Sequence, residues 1–570
     1  MKNDSGASTS VWMATADMPE APPLTADASA DVCVVGAGIA GISTAYLLAR
    51  EGRSVILIDD GPLAGGETSR TSAHLTCVLD DQLHVLERIH GVENARLAVQ
   101  AHAAAIDRIE TLSAELGIKC DFERVDGYLF CPPDQDRGVL EKELEAYRRI
   151  GWSGVEMVDR APFSMFDTGP CLKFADQAMF HPLKYVGGLV KALTELGARV
   201  HCRTHAAEFK SGSPAHVRTR EGHLITAGSV VVATNTPVND RVTMHTKQAA
   251  YRTYCIGARL PRGSVPRGLY WDTADPYHYV RVQPVEQADL PPDARDEHDR
   301  LGHDILIVGG EDHKTGQADD FEDRFHRLIE WTRSRFPMVE SIDFRWSGQT
   351  VEPVDHLAFI GENPGFESRN IYIVTGDSGH GLTHGTIAGM LLTDLIAGRD
   401  NPWRKIYDPS RRTLRTIGGW ARENANAFVQ YADWAASGEV SSEDEIPRGE
   451  GAILRSGLTK VACYKDEQGQ VSRCSAMCTH LGGQVNWNSA EKTWDCPVHG
   501  SRFDCRGSVI NGPAIANLGI VREKGPTPGR EADRRGPQRE SSTSDSARAR
   551  EGSHAPPRDE SPDQPGMFGI

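Results

Sequence analysis

The sequence predicts an α/β dinucleotide-binding (Rossmann-like) domain carrying an α+β domain, followed by a small all-β domain. Three observations predict it. A glycine fingerprint lies between an apolar strand and a helix near residue 36. Strand-like and helix-like segments then alternate from residue 31 to about 407. Beyond about 446 the pattern changes to short strands with Gly turns, where five of the 12 cysteines cluster between Cys463 and Cys505. With 570 residues the chain is too long for one ordinary core, so two or three domains are expected.

Residues 1–30, rich in Ser, Ala, Thr and Pro, read as an arm on the surface or partly disordered. From Asp31 come DVCVV, GAGIAG, ISTAYLLAREG and SVILID, a strand, a glycine turn, a helix and a second strand. VVGAGIAG places Gly36, Gly38 and Gly41 in Gly-x-Gly-x-x-Gly spacing. The first glycine permits the tight turn, the second lets the backbone approach a pyrophosphate, and the third lets helix and strand pack closely. The helix start offers free N–H groups and a positive dipole end to the phosphates. Asp59, closing the second strand, is placed to accept hydrogen bonds from a ribose hydroxyl.

HPLKYVGGLVKALTELG has helical spacing and precedes the strand-like ARVHCRT; SVVVAT and NIYIVTG read as short buried strands. Residues 31–408 form one cofactor- and substrate-binding unit, with the substrate domain drawn mainly from 90–200 and 245–350. Segment 409–445 is helical in pattern and reads as a connector, 446–525 as the small β domain. Residues 526–570, low in apolar residues and high in Pro, Ser and charge, read as a disordered tail.

A second nucleotide fingerprint is lacking: the nearest candidate, ILIVGGEDHKTG at 305–316, does not have the glycine spacing. A single site in an oxidoreductase of this pattern points to FAD, with electrons arriving from a substrate that needs no nucleotide fold. The fingerprint, GGETSRTSAHLT, SVVVATNTPVN and NIYIVTGDSGHGLTHGTIAG together resemble the D-amino-acid-oxidase-type FAD enzymes, which oxidise amines and amino acids. The resemblance covers about residues 31–400. It implies that Ser69, Arg70 and Thr71 run along the FAD, that Gly376, Gly379, His380 and Gly381 meet the isoalloxazine, and that Ala206 touches the adenine. The glycines of 376–385 favour neither helix nor strand and fit close backbone approach to a flat ligand.

Cys478-Thr-His480 and Cys496-Pro-Val-His499 give Cys-x-His and Cys-x-x-His in two short loops. Two thiolates on one iron and two imidazoles on the other are the ligand set of a Rieske [2Fe–2S] cluster. CTHLGG and CPVHGSRFDCRGSVINGPA resemble the Rieske family over about 80 residues. A Cys₂His₂ zinc site is the rival, but such sites usually pair like with like and place the histidines on a helix. The Rieske proteins of cytochrome bc complexes carry an extra cysteine in each loop, joined by a disulfide; here those positions are Gly483 and Val498. The likeness is therefore to the ferredoxin and oxygenase type.

The net charge of −17 argues against nucleic-acid and anionic-membrane binding, and no apolar run approaches a membrane span. Without the marks of a signal peptide, the expected location is cytoplasmic. Asp377, His380 and His384 loosely imitate a two-histidine, one-carboxylate iron site, which raises a Rieske oxygenase as a rival. The expected function is a dehydrogenase that oxidises a small amine, amino acid or related metabolite. Electrons pass from FAD through the cluster to an external acceptor protein or quinone. The other alternative is an electron carrier or redox sensor without small-molecule turnover. His380 is the expected catalytic group, orienting substrate or moving a proton. Trp271, Tyr277 and Tyr279 either line the pocket or pack in the core, with core packing preferred.

Overall fold

The strand Ala28–Val35 is central in a sheet whose path runs Phe359–Glu362, Ile371–Thr375, Leu224–Val232, Ala28–Val35, Val55–Ile58, Arg199–His201. Neighbours on this path are parallel except the first two. Parallel strands covered on both faces read as unbroken apolar runs, and VCVV, VILI and IYIVT are accordingly buried throughout. The computed structural model describes residues 5–522 except 134, 240–241, 287–301, 366–367, 413 and 458; the tail expected at 526–570 lies outside the described residues.

The helix Ile39–Arg50 leaves the first strand through the glycine turn, with Gly36 at φ +106°. A Cβ on Gly41 would stand 1.8 Å from the Gly36 carbonyl oxygen, so strand end and helix start meet only because that atom is missing. The glycine-rich segment after 376 differs from expectation, because a helix, Gly381–Ile396, begins inside it. Gly385 and Gly389 serve that helix: a Cβ on either would lie about 3 Å or less from Ile39, Ala40 or Ser43 of the facing helix. Both glycines thus allow the helix–helix approach, and Gly385 also lines the cavity described below.

A nine-stranded, mostly antiparallel sheet forms the second layer, running from Ser341–Pro353 through Gln248–Leu260, His303–Lys314 and His278–Val285 to Leu269–Asp272, Glu123–Phe130, Cys171–Met179 and His74–Leu75. It starts earlier than the expected residue 90. It also ends before 200, because the helix Pro182–Glu195 packs on Ile39–Arg50 and leads into the parallel strand Arg199–His201. That helix is a crossover of the first layer.

The C-terminal region builds two small antiparallel sheets, Glu450–Ser456/Thr459–Lys465/Val471–Ser475 and Asn486–Asn488/Thr493–Asp495/Arg502–Asp504/Val509–Asn511. Ile453, Ala462, Trp494, Phe503 and Leu518 fill their core. The helix Ile417–Val429 precedes it, and Tyr431 and Trp434 just beyond donate to the carbonyls of Leu481 and Gly482.

Of the N-terminal arm, residues 16–30 are mostly exposed, but the part around residues 10–15 is buried. Val11 and Trp12 are fully buried, and Trp12 Nε1 donates to the Thr71 carbonyl at 2.6 Å. Ser10 Oγ donates to the Ser69 carbonyl and Ser8 Oγ to Glu491, both at 2.6 Å. The arm thus closes a junction at which Glu491, on a turn of the C-terminal region, meets Arg70 at 3.0 Å and Arg252 at 3.5 Å, all three fully buried. Ser347 donates to the same carboxylate through its backbone N–H and its hydroxyl. Arg502, equally buried, pairs with Asp495 at 3.2 Å and donates to the Ser5 carbonyl. Burial opposes ionisation of Glu491, but Arg70, Arg252 and Arg502 outweigh it and hold the carboxyl well below the usual range.

Candidate functional site

A cavity of about 440 Å³ runs along the carboxyl ends of the parallel strands, where α/β sheets bind their ligands. Gly36, Gly38 and Asp59 line it, as do Thr71, Ala206, Gly379, His380 and Gly381. Asp59 Oδ2 accepts from the Ala37 N–H at 2.5 Å and Oδ1 from the Gly61 N–H at 2.8 Å, so this carboxylate also braces the glycine turn.

Three predicted residues stand back from the cavity. Gly41 acts one layer behind it, in the packing described above. Ser69 is buried, with its hydroxyl donating to the Gly66 carbonyl at 2.8 Å. Gly376 has φ +73°, and a Cβ there would meet Pro353 at 2.6 Å. Arg70 reaches the wall, yet its guanidinium is committed to Glu491, to the Ser347 carbonyl and to Ser8. Trp271, Tyr277 and Tyr279 line the cavity and are not purely core residues. The aromatic spacing of a strand serves both roles, which is why local pattern did not separate them. His74 and Asp80 also belong to the wall.

His380 caps the start of the helix Gly381–Ile396 and is buried, while Asp80 opposite is partly exposed. His380 Nε2 accepts from the Asp80 backbone N–H at 3.0 Å and lies 3.3 Å from Asp80 Oδ1. One ring nitrogen is therefore served in both protonation states, by an amide donor when neutral and by a carboxylate when charged. Burial disfavours the charged ring, but Asp80 and then Asp81 more than compensate, so His380 titrates above the ordinary histidine range. His384 differs: its Nδ1 is hydrogen-bonded to the Asp377 carbonyl at 2.9 Å, and burial pushes its pKa down to about 3. Asp377 Oδ1 accepts from the Val351 N–H at 2.8 Å. Asp377, His380 and His384 thus face three different partners, and among the described residues no three His, Cys, Asp or Glu side chains group to hold a single metal ion.

The C-terminal ligands come instead as two pairs. The Cys478 thiol is hydrogen-bonded to Cys496, which more than offsets burial and, with the backbone N–H of His480 and the Ser501 hydroxyl, brings it down to about 7. The rings of His480 and His499 lie 5.0 Å apart, centre to centre. Paired thiols beside paired imidazoles fit a two-iron cluster with its sulfur ligands on one iron and its nitrogens on the other. His499 Nδ1 is buried without a hydrogen-bond partner, and burial drives that imidazole down to about 3, leaving it neutral as a ligand must be. Gly483 and Val498 face each other: a Cβ on Gly483 would lie 2.5 Å from Val498 Cγ2.

Cavity and ligand loops share a wall. Gln349 lines the cavity, and its Nε2 donates to the carbonyl of Gly500, the residue after His499, at 3.1 Å. From the C-terminal region Val509, Ile510, Asn511, Gly512 and Ala514 line the cavity directly. His245, beside the strand Gln248–Leu260, packs edge-on against His480 at 4.9 Å. Nothing local in the sequence marks Gln349, His245 or Asn511, because each acts across a junction between distant segments.

Residues 31–395 match the FAD dependent oxidoreductase family, and residues 437–522 match the Rieske [2Fe-2S] domain. A Rieske 2Fe-2S iron-sulfur protein of Bacillus subtilis, YhfW, is 31% identical over 512 residues, spanning 89% of this chain and 96% of the relative. Gamma-glutamylputrescine oxidoreductase of Escherichia coli is 26% identical over 382 residues, 65% of this chain and 84% of the relative. Glycine oxidase from Geobacillus kaustophilus shares the fold with a TM-score of 0.54 at 16% identity, covering 68% of this chain and 99% of its own. Among the described residues no helix is long and apolar enough to cross a membrane. The chain belongs to the FAD-dependent oxidoreductases and carries a Rieske [2Fe–2S] domain at its C-terminal side.

Proposed function

We propose that this chain is a dehydrogenase of C–N bonds in small amines or amino acids, with electrons leaving through the Rieske domain to an external protein or quinone. The observation that carries this reading is the Gln349–Gly500 hydrogen bond, which joins the FAD cavity wall to the loop of a cluster ligand. The amine named in the E. coli relative supports the substrate class. When bound, FAD supplies a two-electron hydride acceptor and the cluster a one-electron carrier.

The remaining work falls to the chain. Gly36, Gly38 and Asp59 would hold the dinucleotide, and Thr71, Ala206, Gly379 and Gly381 would line the rest of its site. Trp271, Tyr277 and Tyr279 enclose the substrate. His380 takes a proton from the substrate ammonium, freeing the nitrogen lone pair that drives hydride loss from the adjacent carbon. Asp80 stabilises the imidazolium that results. The products are an imine, which water hydrolyses, and two electrons for the acceptor.

Anaerobic stopped-flow mixing with a substrate amine should bleach the flavin first and the cluster afterwards. A cluster that stays oxidised while the flavin is fully reduced would sink the relay. In Asp80→Asn the burial of His380 is no longer opposed by its nearest carboxylate, so its pKa falls. Flavin bleaching needs the neutral ring, and its acidic limb should therefore move to lower pH in the variant. An unmoved limb removes His380 from the proton step.

A further inference from the structure

We propose that residues 509–514 of the Rieske domain are part of the FAD site, closing the adenosine end of the cavity. The inference needs only the FAD-binding family and stands whether or not the electron relay holds.

Asp59 marks the ribose end of a Rossmann-type site. Beside it, Asp60 Oδ2 lies 3.1 Å from His205 Nδ1, and His205 Nε2 is hydrogen-bonded to the Ile515 carbonyl at 3.1 Å. One histidine of the cavity wall thus bridges the ribose-binding turn and the Rieske segment. Gly512 packs in the same corner, where a Cβ would stand 3.2 Å from Val238 Cγ1, itself a wall residue. Asn511 Nδ2 donates to Glu67 Oε1 at 2.9 Å, in the turn that follows the second strand of the fold. Glu67 Oε2 in turn accepts from the Gln349 N–H at 2.6 Å. Val509 to Gly512 and Ala514 face the same cavity as Asp59 and Ala206. A dinucleotide lying on the glycine turn therefore has the parallel sheet on one side and this segment on the other.

The segment is also tied to the cluster loops. The Ala514 N–H donates to Ser501 Oγ at 3.0 Å, and the Ser501 hydroxyl hydrogen-bonds the Cys478 thiol. FAD affinity and order in the cluster loops are then linked, each favouring the other by the same factor.

Ile510 lines the cavity and is part-exposed, so it accepts a charge with little packing loss. Ile510→Glu and Ile510→Lys are similar in reach and opposite in sign, while the FAD diphosphate is anionic. The full-length protein would be freed of FAD with the cluster retained, and FAD titrated by quenching of its fluorescence. The cluster's visible absorption and EPR signal, with resistance to limited proteolysis, report that the domain stays folded and docked. FAD should bind at least about tenfold more weakly to the Glu variant than to the Lys variant, with those signals intact. Equal affinities, whether both normal or both reduced, would overturn the proposal, since a merely structural segment has no preference of sign. Should either charge disturb the cluster signals, Asn511→Ala decides: FAD binding weakened about threefold or more with an intact cluster supports it, and unchanged binding overturns it.

Discussion

Glu491→Gln should lower the stability of the folded chain by about 3–5 kcal/mol, the usual cost of stripping one partner from a buried ionic cluster. Arg70 and Arg252 are fully buried against this carboxylate, and no other acidic side chain is paired with either among the described residues. Glutamine keeps the shape and one acceptor oxygen but leaves both guanidiniums uncompensated in a dry junction. The effect is pH-dependent with a definite sign. The folded carboxyl is depressed, so its contribution is complete above the ordinary glutamate pKa of about 4.3 and is lost as pH falls below it. Denaturation of parent and variant should therefore differ most near neutrality and converge in acid. Because the junction joins the two cofactor-binding regions, proteolysis of the variant should release the Rieske domain, cutting near the connector at 409–445. A variant as stable and as protease-resistant as the parent would show that the cluster of charges does not hold the junction.

Gly41→Val should empty the FAD site while sparing the cluster. The added Cβ would overlap the Gly36 carbonyl oxygen, which it would approach to 1.8 Å. The oxygen is backbone and the Cβ position is fixed by backbone, so the turn that presents the Gly38 region to the pyrophosphate has to open. Forcing carbon into such a contact costs about 3 kcal/mol or more, roughly a hundredfold in FAD affinity. The Rieske ligands lie in separate loops of the C-terminal domain and draw nothing from that turn. Purified protein should accordingly show the cluster spectrum and little flavin absorbance. Normal flavin content would mean that the turn relaxes elsewhere at small cost.

What was legible in the sequence is what is local. VVGAGIAG with its strand, helix and Asp59 lies within about thirty residues, and each part is required by the geometry of the turn itself. The four cluster ligands fall within 22 residues, 478 to 499, with two short loops dictating their order. Other features depend on which distant segments meet. Glu491 lies in NSAEKT, which carries no local sign of burial, and its burial is decided by Arg70 and Arg252. Arg70, expected along the FAD, does reach the cavity wall, but the commitment of its guanidinium to the same junction was not legible. Gly385 reads as ligand-facing and does line the cavity, but its packing on Ile39 and Ala40 is not legible, because a glycine needed for a facing helix and one needed for a flavin look alike. Trp12 lies in a Ser- and Thr-rich stretch whose composition reads as disordered, although its indole has a fitted slot.

The placement of that arm has a consequence for how the protein is made. Ser8 and its partner Glu491 are 483 residues apart in the chain. Within this chain the arm is synthesised well before the carboxylate it closes over. At about 5–20 residues per second, roughly 25 to 100 s separate the two events. Throughout that interval Ser8 and Arg70 lack the carboxylate they pair with, so the nascent FAD-binding region carries an open seam. The later segment decides when Ser8 and Arg70 find their common partner.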